Sequence, residues 1–433
     1  MRVLFVTTPT KAPGHHRVPL AWALRAAGHE VCLADRPNLV DDITRTGLTA
    51  VPIGEVLEAD ENIAASERLR EGAGIAADVP DPEDLMRIEE TRPEKLTYDF
   101  MHGVLTVMTT TVFRTFSPPS TIAELVDFAR DWRPDLVLWD PLVFAGAVAA
   151  RACGAAHARL LYGLDMVALM RGRYLEAMGR RPPEWREDPL EEWLAPALER
   201  YGCAFGEDVV TGQWTIDPVP PSQQLPTGIR YVPMRHVPYN GPSVVPKWLR
   251  EPPERRRVCL SLSLPHPEVT GGDRVPVDAL LEALDGLDVE VVAPSTPLLR
   301  SATRELPGNV RLVDSVPLNE LLPSCSAIIH QSDVWTLHTA FAHGIPQLVL
   351  PGELWDIPMR AAQVHDAGIG LAVPDVEHAT AAELRGMLLR VLEEPSFARN
   401  AARLQAELMG TPAPSDTVPR LERLTAEHRR RTG

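Results

Sequence analysis

The chain has 433 residues, a length that suits two or three domains better than one compact core. Apolar residues make up 45% and charged residues 24% of it, which is typical of a packed globular protein and excludes disordered, collagen-like and fibrous classes. With 43 basic and 59 acidic side chains the net charge is −16, so we expect no general affinity for nucleic acid or for an anionic membrane.

The five cysteines are far apart and form no C-x-x-C pair, which indicates neither a disulfide framework nor a zinc site. The apolar run at residues 3–6 is too short for a signal peptide. No segment reaches the roughly 20 apolar residues that span a bilayer. These features predict a cytoplasmic protein without membrane partners.

The first half alternates short apolar strands with amphipathic helices, the pattern of a parallel sheet with helices on both faces. Pro19 suits the first turn of a helix and Gly28 its C-terminal cap, which predicts one βαβ unit. Residues 54–117 break this rhythm, and we expect their apolar part, 101–116, to line a pocket. The predicted strands are residues 2–7, 30–34, 48–52, 135–139 and 158–162.

The second half repeats this pattern. Its predicted strands are residues 258–264, 289–293, 310–313, 327–330 and 347–350, and its helices 277–287, 318–324 and 358–368. Thr380, with Glu383 three residues later, predicts the cap of a further helix. We predict a first domain at 1–236, a Pro-rich charged linker at 237–257, a second domain at 258–410 and a helical tail at 411–433, which could cap either domain.

Two stretches, "LVLWDPLVFAGAVAARACGAAHARLLY" and "AIIHQSDVWTLHTAFAHGIPQLVLP", share the order strand, polar loop, apolar helix, glycine, strand. They predict two equivalent α/β domains of the doubly wound, Rossmann-like type that face each other across a cleft. Open α/β sheets bind ligands at the carboxyl ends of their strands. Two ligands in one cleft suit the transfer of a group from a donor to an acceptor.

Three residues of the first half are candidate catalytic groups. His15 and His16 follow the first strand, and a histidine there is a plausible base for an acceptor hydroxyl. The alternative is that both are solvated loop residues. Asp140, after another strand, could orient the histidine or accept a proton itself, or cap a helix beginning at Pro141.

The second half carries the candidate donor site. His330 ends a strand, and a helix begins near Thr336, where free amides and the helix dipole favour a diphosphate. The loop between them has no glycine, and Asp333 would repel phosphate. Capping of the helix by Ser332 or Asp333 is the alternative.

Trp355 and Asp356 follow a later strand, where a sugar could meet an aromatic face and a carboxylate. A helix-starting aspartate before Pro358 explains Asp356 equally well. No D-x-D triplet occurs, so we expect no metal. No G-x-G-x-x-G motif follows the first strand and no P-loop motif occurs, which argues against nicotinamide-dependent dehydrogenases and P-loop nucleoside triphosphatases. A G-x-S-x-G elbow is also missing.

Several motifs in order resemble those of actinobacterial antibiotic glycosyltransferases of the desosaminyltransferase type, nearly end to end. They are "VPLAWALRAAGHEV", "WRPDLVLWDPLVF", "GQWTIDP", "YNGPSVVPKWL", "ERRRVCLSL" and "HTAFAHGIPQLVLP" followed by "WD" and "RA". The resemblance implies the GT-B fold, with a lipophilic macrolide or aromatic polyketide acceptor in the first domain and a TDP-deoxysugar in the second. It also implies inverting, metal-free transfer with no cofactor besides this co-substrate. A cytochrome-P450-like helper protein, and a homodimer, are further partners to consider.

The chain departs from the family at the residues that bind the diphosphate and at the base. Pro13 stands where the family has its catalytic histidine, so only His15 or His16 could substitute. The family's H-H-G-G-x-G-[ST] loop corresponds to "HQSDVWT", of which His330 and Thr336 remain. Ser263 replaces a glycine after the first strand of the second domain, and "PGELWD" contains one added residue.

These departures leave two interpretations. Each lost amide contact to a diphosphate costs about 1.5 to 3 kcal/mol, enough in total to weaken a micromolar donor to the millimolar range. In the first interpretation the protein is a working glycosyltransferase whose Ser332 and Thr336 hydroxyls replace amides. In the second it has lost sugar transfer and either performs cofactor-free acid–base chemistry on a polyketide-like intermediate or is a non-catalytic partner.

Overall fold

A computed structural model of the chain describes residues 1–8, 16–56, 87–262, 275–352 and 355–429. The chain forms two compact units. The first comprises Met1–Val219, Gln224–Met234 and Pro412–Gly433, and the second comprises Pro220–Gln223 and Arg235–Thr411. The C-terminal segment, whose domain the sequence left open, therefore belongs with the first unit.

The first unit is built on a seven-stranded parallel sheet in the order β3-β2-β1-β4-β5-β6-β7. Its central strands are apolar on both faces because helices cover both sides, and Val3, Leu4 and Phe5 are at most 1% exposed. The sequence predicted the first five strands within two residues but missed the last two, which are short and partly polar. The strands are β1 (Arg2–Val6), β2 (Glu30–Asp35), β3 (Thr49–Pro52), β4 (Leu136–Trp139), β5 (Ala156–Leu160), β6 (Trp214–Asp217) and β7 (Tyr231–Pro233).

The helices of the first unit bury one face each. In Val18–Ala26 the buried side chains recur at helical spacing, as Leu20, Ala21 and Leu24 show, while Trp22 on the other face is 43% exposed. Helix Tyr98–Met108 continues through a π-helical turn, Thr109–Phe113. The α-helices are Val18–Ala26, Val40–Arg45, Tyr98–Met108, Arg114–Phe116, Pro119–Trp132, Ala145–Cys153, Met166–Gly179, Pro189–Glu199, Asp208–Thr211 and Pro414–His428.

The second unit has a six-stranded parallel sheet in the order β10-β9-β8-β11-β12-β13. The strands are β8 (Arg256–Ser261), β9 (Val289–Pro294), β10 (Val310–Val313), β11 (Cys325–His330), β12 (Gln347–Val349) and β13 (Gly370–Ala372). Strand β8 begins inside the predicted linker. Arg257 is accordingly no solvated linker charge, since it is 2% exposed and pairs with Glu290 at 2.8 Å.

The helices of the second unit are Val277–Leu284, Pro297–Arg300, Leu318–Leu321, Val334–His343, Ile357–Asp366, Ala381–Glu393 and Pro395–Gly410. The capping box at Thr380 and Glu383 is present as predicted: the threonine side chain accepts from the Glu383 amide, and the Glu383 carboxylate accepts from the Thr380 amide. Among the described residues, none of the helices has the length and apolar composition needed to cross a membrane.

Candidate active site

In each unit the loops at the carboxyl edge of the parallel sheet carry the candidate residues. In the second unit these loops follow β11 and β12, which are hydrogen-bonded neighbours. His330 ends β11 and Ser332 lies in the first loop, while Trp355 and Asp356 lie in the second. Parallel pairing thus brings together two sequence segments that are far apart in the chain.

Ser332 has a left-handed backbone, with φ of +63°. This conformation favours glycine, and the resemblance described above implies a glycine at the corresponding place of the H-H-G-G-x-G-[ST] loop. The Ser332 amide donates to Nδ1 of His330 at 3.1 Å, and the Ser332 carbonyl accepts from Nη2 of Arg360 at 2.7 Å. The loop therefore keeps the backbone form that a glycine would adopt, although serine occupies it.

Asp333 caps helix Val334–His343. Its Oδ1 accepts hydrogen bonds from the amides of Trp335, at 3.2 Å, and Thr336, at 3.0 Å. This confirms the capping alternative for Asp333 and not for Ser332. The first amides of the helix, which we expected to be free for a diphosphate, are already bonded to a carboxylate.

His330 is fully buried and both ring nitrogens have partners. Because Nδ1 accepts from the Ser332 amide, Nε2 carries the proton and donates to Oε1 of Gln347 at 2.8 Å. Burial lowers the pKa of His330 to about 4, so the ring is neutral at physiological pH. His330 thus fixes the loop, and a direct contact with a donor stays a prediction.

Asp356 stands at the start of helix Ile357–Asp366, but its side chain makes no capping bond. Asp356 is thus the helix-start residue that the alternative predicts, although its side chain does not cap the helix. It pairs instead with Arg360 at 2.9 Å, and both side chains are less than one-tenth exposed. Arg360 also donates to the Ser332 carbonyl. One guanidinium therefore connects Asp356 to the loop at residues 331–333, which we call the donor loop.

The sequence interpretation did not single out Arg360. The sequence feature that could have identified it is its position four residues after Asp356, a spacing that places two side chains on the same face of a helix.

Trp355 has a left-handed backbone with φ of +58° and is half-buried, and Thr336 is buried. Ser263 lies outside the described residues. Contacts of Thr336, Trp355 and Asp356 with a sugar donor stay predictions.

In the first unit His16 lies in the turn just before helix Val18–Ala26. It is 7% exposed, so the interpretation of a solvated loop residue is wrong for His16. Its ring lies 5.8 Å from the ring of Tyr162, which follows β5. His16 therefore stands at the carboxyl edge of the sheet, where a ligand of this unit is expected. His15 and Pro13 lie outside the described residues.

Asp140 follows β4 at the same edge and is ion-paired with Arg17 at 3.0 Å, with both side chains at most 3% exposed. Its other oxygen accepts from the amide of Leu142 at 3.0 Å. The following helix begins at Ala145, so Asp140 closes a turn and is not the helix cap that we considered.

Asp35, at the end of β2, is a buried carboxyl group that the sequence interpretation missed. It accepts from the amide of Arg36 at 2.8 Å and from the hydroxyl of Thr7, which follows β1. Burial raises its pKa to about 6, against the opposing effects of Thr7, Arg17 and Arg36. The sequence feature that could have identified Asp35 is its position as a polar residue directly after the predicted strand 30–34.

Comparison with known proteins decides the family. Residues 22–263 match the profile "Erythromycin biosynthesis protein CIII-like, N-terminal domain", and residues 278–424 match the corresponding C-terminal domain. The chain belongs to the erythromycin CIII-like glycosyltransferase family. It is 53% identical over 435 residues to aclacinomycin-T 2-deoxy-L-fucose transferase of Streptomyces galilaeus, covering 100% of this chain and 98% of that protein.

A second relative of this CIII-like protein is 10-deoxymethynolide desosaminyltransferase of Streptomyces venezuelae, 46% identical over 99% of this chain and 98% of that protein. Among solved structures, glycosyltransferase VinC in complex with dTDP is similar, with a TM-score of 0.87 and 38% identity over 99% of this chain and 100% of that one. Spinosyn forosaminyltransferase SpnP has a TM-score of 0.79, at 42% identity over 98% and 99%. The predicted GT-B fold is confirmed.

The comparisons support the interpretation of a glycosyltransferase. They do not support the alternative that this CIII-like protein has lost sugar transfer, since the similarity to named transferases spans the whole chain. The roles of individual site residues remain predictions, because the departures from the family pattern lie at these residues.

Proposed function

We propose that this chain transfers a deoxysugar from a TDP-sugar to a polyketide aglycone in antibiotic biosynthesis. The observation that carries this proposal is the 53% identity, over the whole chain, with a protein named aclacinomycin-T 2-deoxy-L-fucose transferase. The solved relative VinC, which holds dTDP, supports a thymidine nucleotide as the leaving group.

The second unit supplies the donor side of the proposed reaction. Helix Val334–His343 directs its amino end, with a partial positive charge, to the place where a diphosphate would lie. Arg360, which is paired with Asp356, donates a hydrogen bond to the Ser332 carbonyl and holds this loop. The helix start would stabilise the charge that develops on the diphosphate as the bond to the sugar breaks, without a metal ion.

The first unit supplies the acceptor side. We assign His16 as the base, with His15 as the other candidate in the sequence. The base takes the proton of the acceptor hydroxyl, the oxygen attacks the anomeric carbon with inversion, and TDP leaves with the electron pair of the broken bond. Asp140, paired with Arg17 at the same edge of the sheet, would stabilise the imidazolium that forms.

The proposal also covers where and with which partners the protein works. A small polyketide-type acceptor agrees with the named relatives. A cytochrome-P450-like helper protein and a homodimer are further parts of the proposal, as is a cytoplasmic location. Comparing the activity of the purified chain alone with that of the chain co-expressed with a helper tests the need for a helper protein. Light scattering tests the homodimer.

Donor binding is the sharpest test. Calorimetric titration with TDP is expected to show binding, at a Kd of about 10 to several hundred micromolar. A second assay combines the protein with a TDP-2-deoxysugar and aromatic or macrolide aglycones and detects the glycoside by mass spectrometry. Absence of TDP binding at millimolar concentration, together with absence of glycoside, would contradict the proposal. A product formed from the aglycone without nucleotide would instead show a different activity.

A further inference from the structure

The amino end of helix Val334–His343 already holds an anion that belongs to the chain itself. Oδ1 of Asp333 accepts from the amides of Trp335 and Thr336 at 3.2 and 3.0 Å. Asp333 is 7% exposed, so this carboxylate lies within the protein rather than in solvent. A helix start is a place where phosphate oxygens bind because its first amides lack partners within the helix.

A donor diphosphate and the Asp333 carboxylate therefore compete for the same amides. An amide donates to one strong acceptor at a time, and two anions in a poorly solvated site repel each other strongly. The surrounding loop otherwise suits an anion: Ser332 keeps the left-handed backbone of a glycine, and Arg360 donates to its carbonyl from behind.

A second observation points to an incomplete site at this place. Within the part of the chain that the structure describes, three buried polar atoms near the loop have no hydrogen-bond partner: Oγ of Ser332, Oδ2 of Asp333 and Nε of Arg360. Native proteins rarely leave buried donors and acceptors unpaired, because each costs free energy. A hydroxyl and a guanidinium nitrogen are both able to donate to a phosphate oxygen.

We propose that Asp333 sets the donor affinity of this protein, because its carboxylate is an internal anion that a nucleoside diphosphate must displace from the start of helix Val334–His343. This inference rests on the proposed function, since it assumes that the donor diphosphate binds at this loop. Removing the charge at residue 333 would raise the affinity for TDP and for inorganic pyrophosphate.

Three variants separate charge from helix capping. Asp333→Asn keeps a side-chain oxygen that accepts from the helix amides but has no charge, and Asp333→Gly removes the side chain and leaves the amides free. Thr380→Ala is the matched control, because it removes the cap of helix Ala381–Glu393 in the same unit, away from the donor loop. If the loss of a helix cap alone changed TDP binding, Thr380→Ala would show the same change in binding as the Asp333 variants.

Calorimetric titration with TDP and with pyrophosphate, on the full chain and its variants, decides the outcome. We expect Asp333→Asn and Asp333→Gly to bind TDP at least about tenfold more tightly than the unmodified protein, and Thr380→Ala to bind it equally. Unmodified protein that binds TDP while both Asp333 variants bind it equally or more weakly would overturn this inference alone. Absence of binding by all four proteins would overturn the proposed donor site as well. Thermal unfolding confirms in each case that the variant is folded.

Discussion

Arg360 donates a 2.7 Å hydrogen bond from Nη2 to the carbonyl oxygen of Ser332. The same guanidinium pairs with Asp356 through Nη1 at 2.9 Å. Arg360 thereby joins the loop after β11 to the loop after β12. Both loops carry residues that are predicted to bind the sugar donor. Arg360 therefore holds the two loops of the predicted donor site together.

Replacing Arg360 with methionine is expected to destabilise the second unit by about 3 to 5 kcal/mol, because it breaks the buried ion pair with Asp356. The denaturation midpoint and the TDP affinity should both fall. Arg390→Met is the control, since Arg390 forms an exposed pair with Glu394 of the kind that contributes at most about 1 kcal/mol. Equal midpoints for the two variants would contradict the role assigned to Arg360.

Replacing Ser332 with glycine is expected to leave stability unchanged or to raise it by about 1 kcal/mol. Glycine adopts positive φ without the steric cost of roughly 1 to 2 kcal/mol that an L-residue incurs, and the change removes a buried unpaired hydroxyl. Ser301→Gly, at a residue with φ of −80°, is expected to destabilise the protein. Denaturant midpoints compare the two. A larger loss at Ser332 than at Ser301 would show that the strain argument is wrong.

His16→Ala is expected to lower kcat for glycoside formation by about 10²- to 10⁴-fold, the usual contribution of a general base. TDP affinity should remain unchanged, because the proposed role of His16 is to take the proton of the acceptor hydroxyl. His29→Ala is the control, since His29 precedes β2 at the opposite edge of the same sheet. Full turnover by His16→Ala and by His15→Ala would remove both histidines as the base.

Asp217 predicts a pH dependence of stability. This carboxyl group ends β6, is 3% exposed and accepts from the amide of Val219 at 2.9 Å. Burial, and to a smaller extent the charge of Asp165, raises its pKa to about 8 against the effect of the Val219 amide. A raised pKa means that the folded state favours the neutral acid. The contribution of Asp217 to the stability of the folded state is thus complete below the pKa of this group in the unfolded chain, about 4. This contribution is lost as the pH rises through about 8.

Between these limits the free energy of unfolding should fall by about 1.4 kcal/mol for each pH unit from this group. Asp217→Asn stays neutral and keeps an acceptor for Val219, so its stability should change less between pH of about 5 and about 9. Urea midpoints measured at both ends of the range check this. An identical pH profile for the variant and the unmodified protein would rule out the titration of Asp217.

The sequence predicted most of the fold because the apolar runs of central strands and the helical spacing of buried residues are local signals. Strands such as β1 and β11 contain apolar runs, residues 3–6 and 327–329, and the Thr380 cap depends only on a residue three positions away. Strands β6, β7 and β13, of three or four residues each, were missed, and each pairs with a neighbouring strand of the sheet. Only pairing with that neighbour determined them.

The sequence by itself determined the family, the two-unit fold and the altered loop, since these depend on residue identity and order. Which atoms meet was decided by tertiary structure alone. Asp140 contacts Arg17, and Asp356 contacts the donor loop through Arg360, because parallel strands bring residues that are distant in the chain to one edge of a sheet. The sequence shows only that a carboxyl group is present. Its burial and its hydrogen-bonding or ionic partners in the folded protein determine whether it is protonated, caps a helix or binds a ligand.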